Sequence, residues 1–449
     1  MRIYNAHIGG EHVKKKILLI TPENEEINKF RRKQFNNFIQ ITMPYLAAFI
    51  DESKYKITLI DEYNQKIPYK ESFDLVAITV NTSNASHCYN ISKVFREKGS
   101  KIVMGGPHST LLPEEVKKNC DYIMIGEGEL IWPEFLEDFY NGKAKKEYIC
   151  KEVPNLNNIP IARRDLIYGR HFTKGAVISS RGCPYKCSYC NLKQIYCEPY
   201  RTRPVEEVIE EIKKIKSRYF VFWDDNFWGD TDYSKILLKE LKKLNKRWAA
   251  QVTLERCKDE NLLKLAKEAG CVYLFVGIES FSKESLMSVN KGINNVDKYK
   301  SIIDKVHSNG ICIQAGIIFG FDTDRKDVFK RTLDACNKLG IDGVTVSILT
   351  PLPKTPIYEQ LKEEGRLLSE DWSYYNGKTR VAFIPKNMHP EELFDGYMWF
   401  RKEFYSFKSI FKRLKKSRTN IFYNLAMNLG YKISLGDTKT SLNIRGEFI

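Results

Sequence analysis

Cys183, Cys187 and Cys190 sit in the stretch RGCPYKCSYCN (Arg181 to Asn191), three thiols within eight positions, while the other eight cysteines of the chain are scattered singly. Thiolates are soft donors suited to zinc or to iron–sulfur clusters, and the C-x-x-x-C-x-x-C spacing lets one loop wrap a metal. A structural zinc wants four protein ligands, typically a second Cys pair or a His. Cys197 is close, but the regular spacing ends at Cys190. Three thiolates on a four-iron cluster leave one iron open, and an open iron is a place for a reaction. A zinc-stabilised binding module and an iron–sulfur enzyme are thus the two starting readings.

The elements around the cluster favour the second. From Ala176 the sequence alternates six β-rich runs with helical patterns: AVISS (Ala176 to Ser180), YFVFWD (Tyr219 to Asp224), WAAQVT (Trp248 to Thr253), VYLFVG (Val272 to Gly277), ICIQAGIIFG (Ile311 to Gly320) and GVTVSI (Gly343 to Ile348). The segment PVEEVIEEIKKI places Val205, Val208, Ile209, Ile212 and Ile215 on one helical stripe after Pro204 at a first-turn position. Six strand-helix units predict a partial (β/α)6 barrel of the TIM type, with its chemistry at the carboxyl ends of the strands. The cysteines follow the first strand, where such a loop belongs. Other strand ends carry WDDNFW (Trp223 to Trp228), TLERC (Thr253 to Cys257) and GIES (Gly277 to Ser280), and GIIFGF (Gly316 to Phe321) offers small and apolar residues.

An earlier alternation runs KILLI (Lys16 to Ile20), KITLI (Lys56 to Ile60), LVAITV (Leu75 to Val80), KIVMGG (Lys101 to Gly106) and YIMIG (Tyr122 to Gly126). Five strands with helix-length spacers predict an α/β, doubly wound parallel sheet, whose ligands sit beyond the strand carboxyl ends. Those ends read TPEN (Thr21 to Asn24), NTSNAS (Asn81 to Ser86), GGPHST (Gly105 to Thr110) and GEGEL (Gly126 to Leu130). Glycines there admit close approach of backbone to a ligand, and hydroxyl and amide side chains meet polar edges, so the loops suit a large, amide-fringed molecule; ordinary turn chemistry is the alternative. The expected domains are 14–145 for this sheet, 146–172 for a Pro- and Asn-rich linker around VPNLNNIPIARRDL (Val153 to Leu166), 173–362 for the barrel, and 363–449 for a mostly helical C-terminal region.

The cysteine spacing, with Tyr189 just before the last cysteine, resembles the signature of the radical S-adenosylmethionine superfamily. GGPH and GEGE in the preceding sheet resemble the cobalamin-binding domain of its cobalamin-dependent branch. The resemblance spans roughly Lys14 to Arg401 and includes LTPLPKTPIY (Leu349 to Tyr358) and WSYYNGKTRVAF (Trp372 to Phe383). It implies a [4Fe-4S] cluster on Cys183, Cys187 and Cys190, with S-adenosylmethionine chelated to the open iron and an external one-electron reductant of flavodoxin or ferredoxin type. By the same resemblance Asp224 and Asp225 lie near the cosubstrate amine, Arg256 near its carboxylate, Glu279 and Ser280 near its ribose or amine, and Tyr189 beside it. Charge complementarity agrees, since an ammonium wants carboxylates and a carboxylate wants a guanidinium fork. Cobalamin is implied on Thr21, Asn81, Thr82, Ser83, Gly105, Gly106, His108, Gly126, Glu127, Gly128 and Glu129. Cobalamin domains of the methionine synthase type ligate cobalt with a histidine in an Asp-x-His-x-x-Gly motif just after the first strand. Here only NAHIGG (Asn5 to Gly10) is near, and it precedes that strand, so His7 and His108 are expected to be structural or peripheral. The overall plan looks most like members that methylate polycyclic isoprenoid lipids, the hopanoid methylases, and relatives such as anaerobic cyclases of porphyrin-type rings. The expected reaction is methylation of an unactivated carbon of a small-molecule or lipid substrate, with radical cyclisation or rearrangement as the alternative.

Composition narrows the rest. The chain has 449 residues, 43% of them hydrophobic, and no run of eighteen apolar residues, so no membrane-spanning helix is expected. The opening MRIYNAHIGGEHVKKK lacks a signal peptide's apolar core, and the scattered cysteines do not form a disulfide framework, so a cytoplasmic protein is expected. Net charge is +16. Eight Lys or Arg against Glu403 fall between Arg401 and Arg418, interleaved with Phe400, Phe404, Phe407, Ile410, Phe411 and Leu414 at helical spacing. That pattern predicts either an amphipathic helix over 400–418 in peripheral contact with an anionic membrane face, or a helix docked on the barrel with a solvated basic face. No nucleic-acid fold signature accompanies the charge, so nucleic acid is not expected as a partner. No residue stands out as a proton carrier: Tyr374 and Tyr375 are candidates beyond the barrel, but aromatic residues near a barrel mouth more often pack.

Overall fold

Apolar runs flanked by amphipathic helices build two parallel sheets in succession. The computed structural model describes residues 14–24, 26–27, 39–169, 174–196, 200–417 and 419–436, with the side chains of 434–436 excepted; His7, Cys197 and Arg418 lie outside the described residues. The first sheet holds β1 (Lys15–Thr21), β2 (Tyr55–Asp61), β3 (Leu75–Thr79), β4 (Lys101–Gly105), β5 (Tyr122–Ile125) and β6 (Glu147–Ile149) in the order β2-β1-β3-β4-β5-β6, all parallel. Its central strands are apolar on both faces because helices cover both, and Ile17 to Ile20 and Leu75 to Ile78 are buried throughout. Five strands were expected. The sixth is only three residues long, too short to show a period, and it carries the sheet to Ile149, into the span expected as linker. Strand order reverses between β1 and β3, so the crevice for a ligand opens between the loops after Thr21 and after Thr79.

The second half contributes β7 (Ala176–Val177), β8 (Ser180–Gly182), β9 (Tyr200–Thr202), β10 (Tyr219–Phe222), β11 (Arg247–Val252), β12 (Cys271–Glu279), β13 (Cys312–Phe319) and β14 (Gly343–Ile348). Six of these form an open parallel sheet, β14-β13-β12-β11-β10-β7, while β8 and β9 pair antiparallel as a separate ribbon. AVISS is therefore not one strand. It breaks after Val177 because the Ser179 N–H and hydroxyl and the Ser180 hydroxyl all donate to the Asp224 carboxylate, which turns the chain out of the ladder toward the cysteines. The helix Val205–Lys214 buries the expected stripe against the sheet, with Pro204 one residue outside as its cap.

The two halves share a core. One buried cluster runs from Ile17, Tyr45 and Trp132 of the first sheet's layer to Ala176 and Val221 of the barrel. At this seam Glu211, fully buried, accepts hydrogen bonds from Arg203 (2.7 Å), Arg164 (2.5 Å) and Tyr45 (2.9 Å).

The basic segment does not form one amphipathic helix. The helix Pro390–Phe404 ends, and a new one, Phe407–Leu414, starts where the Ser406 hydroxyl accepts from the Ser409 N–H. Phe400, Phe404, Tyr405 and Ile410 are buried against the barrel, and Arg413 is buried too, its guanidinium 3.5 Å from the Phe404 ring centroid and donating to Asn428. Only Phe407 and Phe411 of the expected apolar face are exposed. A last helix, Ile421–Gly436, lies across the amino-terminal ends of the barrel strands. Asn424 donates to the Asp342 carboxylate and Asn428 to the Asp342 carbonyl (2.8 Å), the Tyr423 and Tyr219 hydroxyls meet at 2.5 Å, and Gln314 donates to the Tyr431 hydroxyl at 2.6 Å. Among the described residues no helix is long and apolar enough to cross a membrane.

Candidate active site

Cys183 follows directly on β8, and the loop carrying it is fixed from three sides. Asp225 accepts from the Gly182 N–H (2.9 Å), the Ser188 N–H donates to the Val289 carbonyl (3.1 Å), and the Ile357 N–H donates to the Ser188 carbonyl (3.2 Å). The Cys190 N–H closes a turn on the Cys187 carbonyl (3.1 Å). The three thiols lie within each other's electrostatic reach, and burial pushes Cys190 up to about 11 and Cys183 upward. Among the described residues no three His, Cys, Asp or Glu groups are close-set enough to hold a single metal ion. In a cubane each thiolate binds a different iron, so its donors stand farther apart than those around one zinc.

Sequence reasoning missed two residues here. Lys291, almost fully buried, points its ammonium at this loop, 3.7 Å from the Glu279 carboxylate. Burial opposes its charge, but Glu279 and the three thiols outweigh that and hold it protonated. A lysine in NKGIN carries no pattern that singles it out. Asn226, next after the two aspartates, places its amide 3.7 Å from the Cys183 sulfur.

The expected cosubstrate residues divide into two groups. Asp224 is saturated by Ser179 and Ser180, and burial pushes it up to about 6, so its carboxylate positions the turn before the cysteines rather than facing outward. Asp225 likewise serves the Gly182 amide, with burial raising it. Ser280 accepts from the Ser282 N–H and caps its turn. Glu279 has φ +63°, a conformation costly for a non-glycine residue, at a register shift in β12 that turns its carboxylate toward Lys291 and Tyr189. The Tyr189 ring rests 6.4 Å from that of Phe321. Nearby, Arg256 Nε, Thr253 Oγ1, Asn226 Oδ1 and Asn294 Oδ1 are buried with no hydrogen-bond partner. Buried polar atoms are normally paired, so this unpaired set fits a polar cosubstrate with charged and hydrogen-bonding groups seated against it.

The expected cobalamin residues all fall at the carboxyl edge of the first sheet. Gly106 has φ +101°, and a Cβ there would meet Thr79 Oγ1 at 2.9 Å and the Val80 carbonyl at 3.0 Å; turn geometry alone demands glycine. Thr21 and Thr82 are buried beneath the rim, Asn81 is exposed, and Asn24 donates to the Ser83 carbonyl (2.6 Å), tying the two crevice loops together. His108 does not reach the rim. Its ring is fully buried, 3.3 Å from the Thr82 hydroxyl and edge-on to Trp372 at 5.4 Å, and burial holds it below the usual imidazole range. Glu127 and Glu129 face the barrel: Arg181, two residues before Cys183, bonds both, with Glu129 at 2.5 Å, and Arg201 bonds Glu127 at 2.6 Å. Ser109 Oγ is buried without a partner beside Gly106. A polar crevice at the switch point with an unpaired buried hydroxyl fits a large cofactor rich in amides.

Residues 177–336 match the Radical SAM superfamily, residues 36–136 a B12 binding domain, and residues 355–439 a domain of unknown function. The bacteriochlorophyllide d C-12(1)-methyltransferase of Chlorobaculum tepidum is 30% identical over 406 residues, covering 86% of this chain and 88% of that protein. The chain belongs to the cobalamin-dependent radical S-adenosylmethionine enzymes. The anaerobic magnesium-protoporphyrin IX monomethyl ester cyclase of Cereibacter sphaeroides is a more distant relative, 24% identical over 75% of this chain and 61% of its own length. In fold, the chain is similar to the solved cobalamin-dependent radical enzyme OxsB, with TM-score 0.68 at 16% identity, covering 94% of this chain and 72% of that one. As a cobalamin-dependent radical S-adenosylmethionine enzyme the protein uses a [4Fe-4S] cluster, S-adenosylmethionine and cobalamin. The zinc-module reading is set aside.

Tyr374 and Tyr375 are not free proton carriers. The Tyr375 hydroxyl donates to the Ser369 carbonyl (2.6 Å), and that of Tyr374 accepts from Arg380 (2.9 Å).

Proposed function

We propose that the protein methylates an unactivated carbon of a large, mostly apolar polycyclic substrate. Bound cluster, S-adenosylmethionine and cobalamin together supply one-electron chemistry at carbon and a transferable methyl group. The observation that carries the reading is the Glu127–Arg181–Glu129 bridge, which joins the loop ends of the B12-binding sheet to the backbone entering the cysteine loop. In this reading Cys183, Cys187 and Cys190 hold the cluster. Lys291 offsets their negative charge, Arg256 receives the cosubstrate carboxylate, Glu279 with Tyr189 bounds its amine and ribose, and Ser280 caps the turn beside them. Asp224 and Asp225 fix the loop rather than the cosubstrate. The rims at Asn81, Ser83, Gly105, Gly126 and Gly128 seat cobalamin. The electron comes from an external protein reductant of flavodoxin or ferredoxin type.

The test is anaerobic incubation of reconstituted protein with cobalamin, a one-electron reductant, methyl-labelled S-adenosylmethionine and an extract of cells lacking the gene. One extract component gaining a single labelled methyl is the expected result. A product that has lost hydrogens and gained no carbon would overturn methyl transfer in favour of ring formation.

The C-terminal surface supports a lipid-accessible setting. Phe407, Phe411, Ile421 and Phe422 are exposed beside Lys408, Lys412, Lys415 and Lys416, a combination that favours an anionic bilayer surface. Co-sedimentation with phosphatidylglycerol vesicles is expected, falling several-fold in Phe407→Ser/Phe411→Ser and at raised salt. Equal sedimentation of the double variant would remove the membrane from the reading.

A further inference from the structure

TIM-type barrels fill their interior with layers of bulky side chains. Here the inward positions at mid-height include Val221 and Ala249 on adjacent strands, a small pair for such a layer. Beside Val221 and Ala249 lies a cavity of about 1050 Å³. It runs from Trp223, Asp224 and Asp225 at the strand carboxyl ends down to Tyr219, Arg247 and Tyr273 at the amino ends. That volume is at the upper end of small-molecule sites, about 300–1,000 Å³. Arg256, Glu279 and Ser280 are not part of its lining.

The helix Ile421–Gly436 closes the lower end. Tyr423, Met427, Gly430 and Tyr431 fall at i, i+4, i+7 and i+8 and line the cavity as one stripe, while the adjacent Asn424 and Asn428 anchor the helix to Asp342. Gly430 is the anomaly. A glycine inside a helix weakens it by about 1 kcal/mol relative to alanine, and a Cβ added at Gly430 would meet nothing within 4 Å. The space above it is part of the cavity. One cationic group reaches the same end. Arg247 at the start of β11 reaches the cavity floor, beside Tyr423 of the helix, while the Tyr273 hydroxyl is packed against Gly343 and out of reach.

We propose that this helix is the floor and length gauge of the substrate site, and that the occupant is a large apolar ring system bearing an acidic group received by Arg247. The proposal rests on the methyltransferase reading and gives the region of unknown function a role in the site. Gly430 leaves room for the far end of the ring system, and Arg247 sets its orientation.

The probe is protoporphyrin IX, a flat apolar ring with carboxylates, titrated into reconstituted protein and followed by quenching of Trp223 and Trp248. Wild type is expected to bind, Gly430→Leu to bind at least about tenfold more weakly because the side chain fills the floor, and Arg247→Gln to weaken protoporphyrin IX but not its dimethyl ester. Leucine is the better helix former, so Gly430→Leu should keep its secondary structure and iron content. Absence of binding to wild type, or equal binding by wild type and Gly430→Leu, would overturn the proposal. Equal sensitivity of acid and ester to Arg247→Gln would overturn the role given to that residue. None of these outcomes depends on methyl transfer, whose own failure would appear as absence of labelled product.

Discussion

Cys183→Ala protein is expected to purify folded, to bind less than one cluster per chain after anaerobic reconstitution, and to show no methyl transfer above background. The sulfur removed is half-exposed and small, so the change in folding free energy stays within about 1 kcal/mol. Its loss to function is complete because two thiolates cannot hold a cubane whose remaining corner must stay open to cosubstrate. Iron and sulfide content, the charge-transfer absorbance of the cluster and a thermal melt separate the two effects. Asn226 and Lys291 give a graded comparison, since they touch the cluster environment without ligating. Full cluster content in Cys183→Ala would mean that another group, Cys197 among them, serves as ligand, and would end the three-cysteine reading.

Glu211→Ala should be the most damaging single change to stability. The carboxylate is wholly buried at the seam between the two sheets and receives Arg203, Arg164 and the Tyr45 hydroxyl. Removing it strands two guanidinium groups in a low-dielectric interior. Breaking a buried pair in this way costs about 3–5 kcal/mol, far more than an exposed salt bridge contributes. Because one apolar cluster crosses the seam, both halves should lose stability together in denaturant titration. Glu211→Gln, which keeps an acceptor, should recover part of the loss. A change under about 1 kcal/mol in Glu211→Ala would show that water reaches the seam and solvates the arginines.

Both sheets could be read from the chain because strand runs such as LVAIT, buried on both faces, and GVTVSI, buried on one face with Thr345 and Ser347 half-buried on the other, are short and β-rich, with amphipathic helices between. The cysteine trio was legible because cluster chemistry demands residue type and spacing within one loop. What failed was what depends on contacts between distant residues. AVISS has the composition of a strand, yet the carboxylate of Asp224, 45 positions on from Ser179, pulls it apart. The basic segment has helical periodicity throughout, but burial of Phe400 and Phe404 against the barrel and the Ser406 cap divide it. Glu127 and Glu129 sit in a loop that also suits a ligand, and only the fold reveals Arg181 opposite them. Lys291, Arg247 and Gly430 are ordinary in sequence; their significance is entirely a matter of what surrounds them.

The helix at Ile421–Gly436 is synthesised after all six strands whose lower end it stops up. Until it emerges from the ribosome, Tyr219, Gln314 and Asp342 at the lower end of the strands lack the partners that meet them in the finished protein. The chamber is thus completed only after every strand has been made, and a guest already threaded into the barrel would be corked in place by the arriving segment.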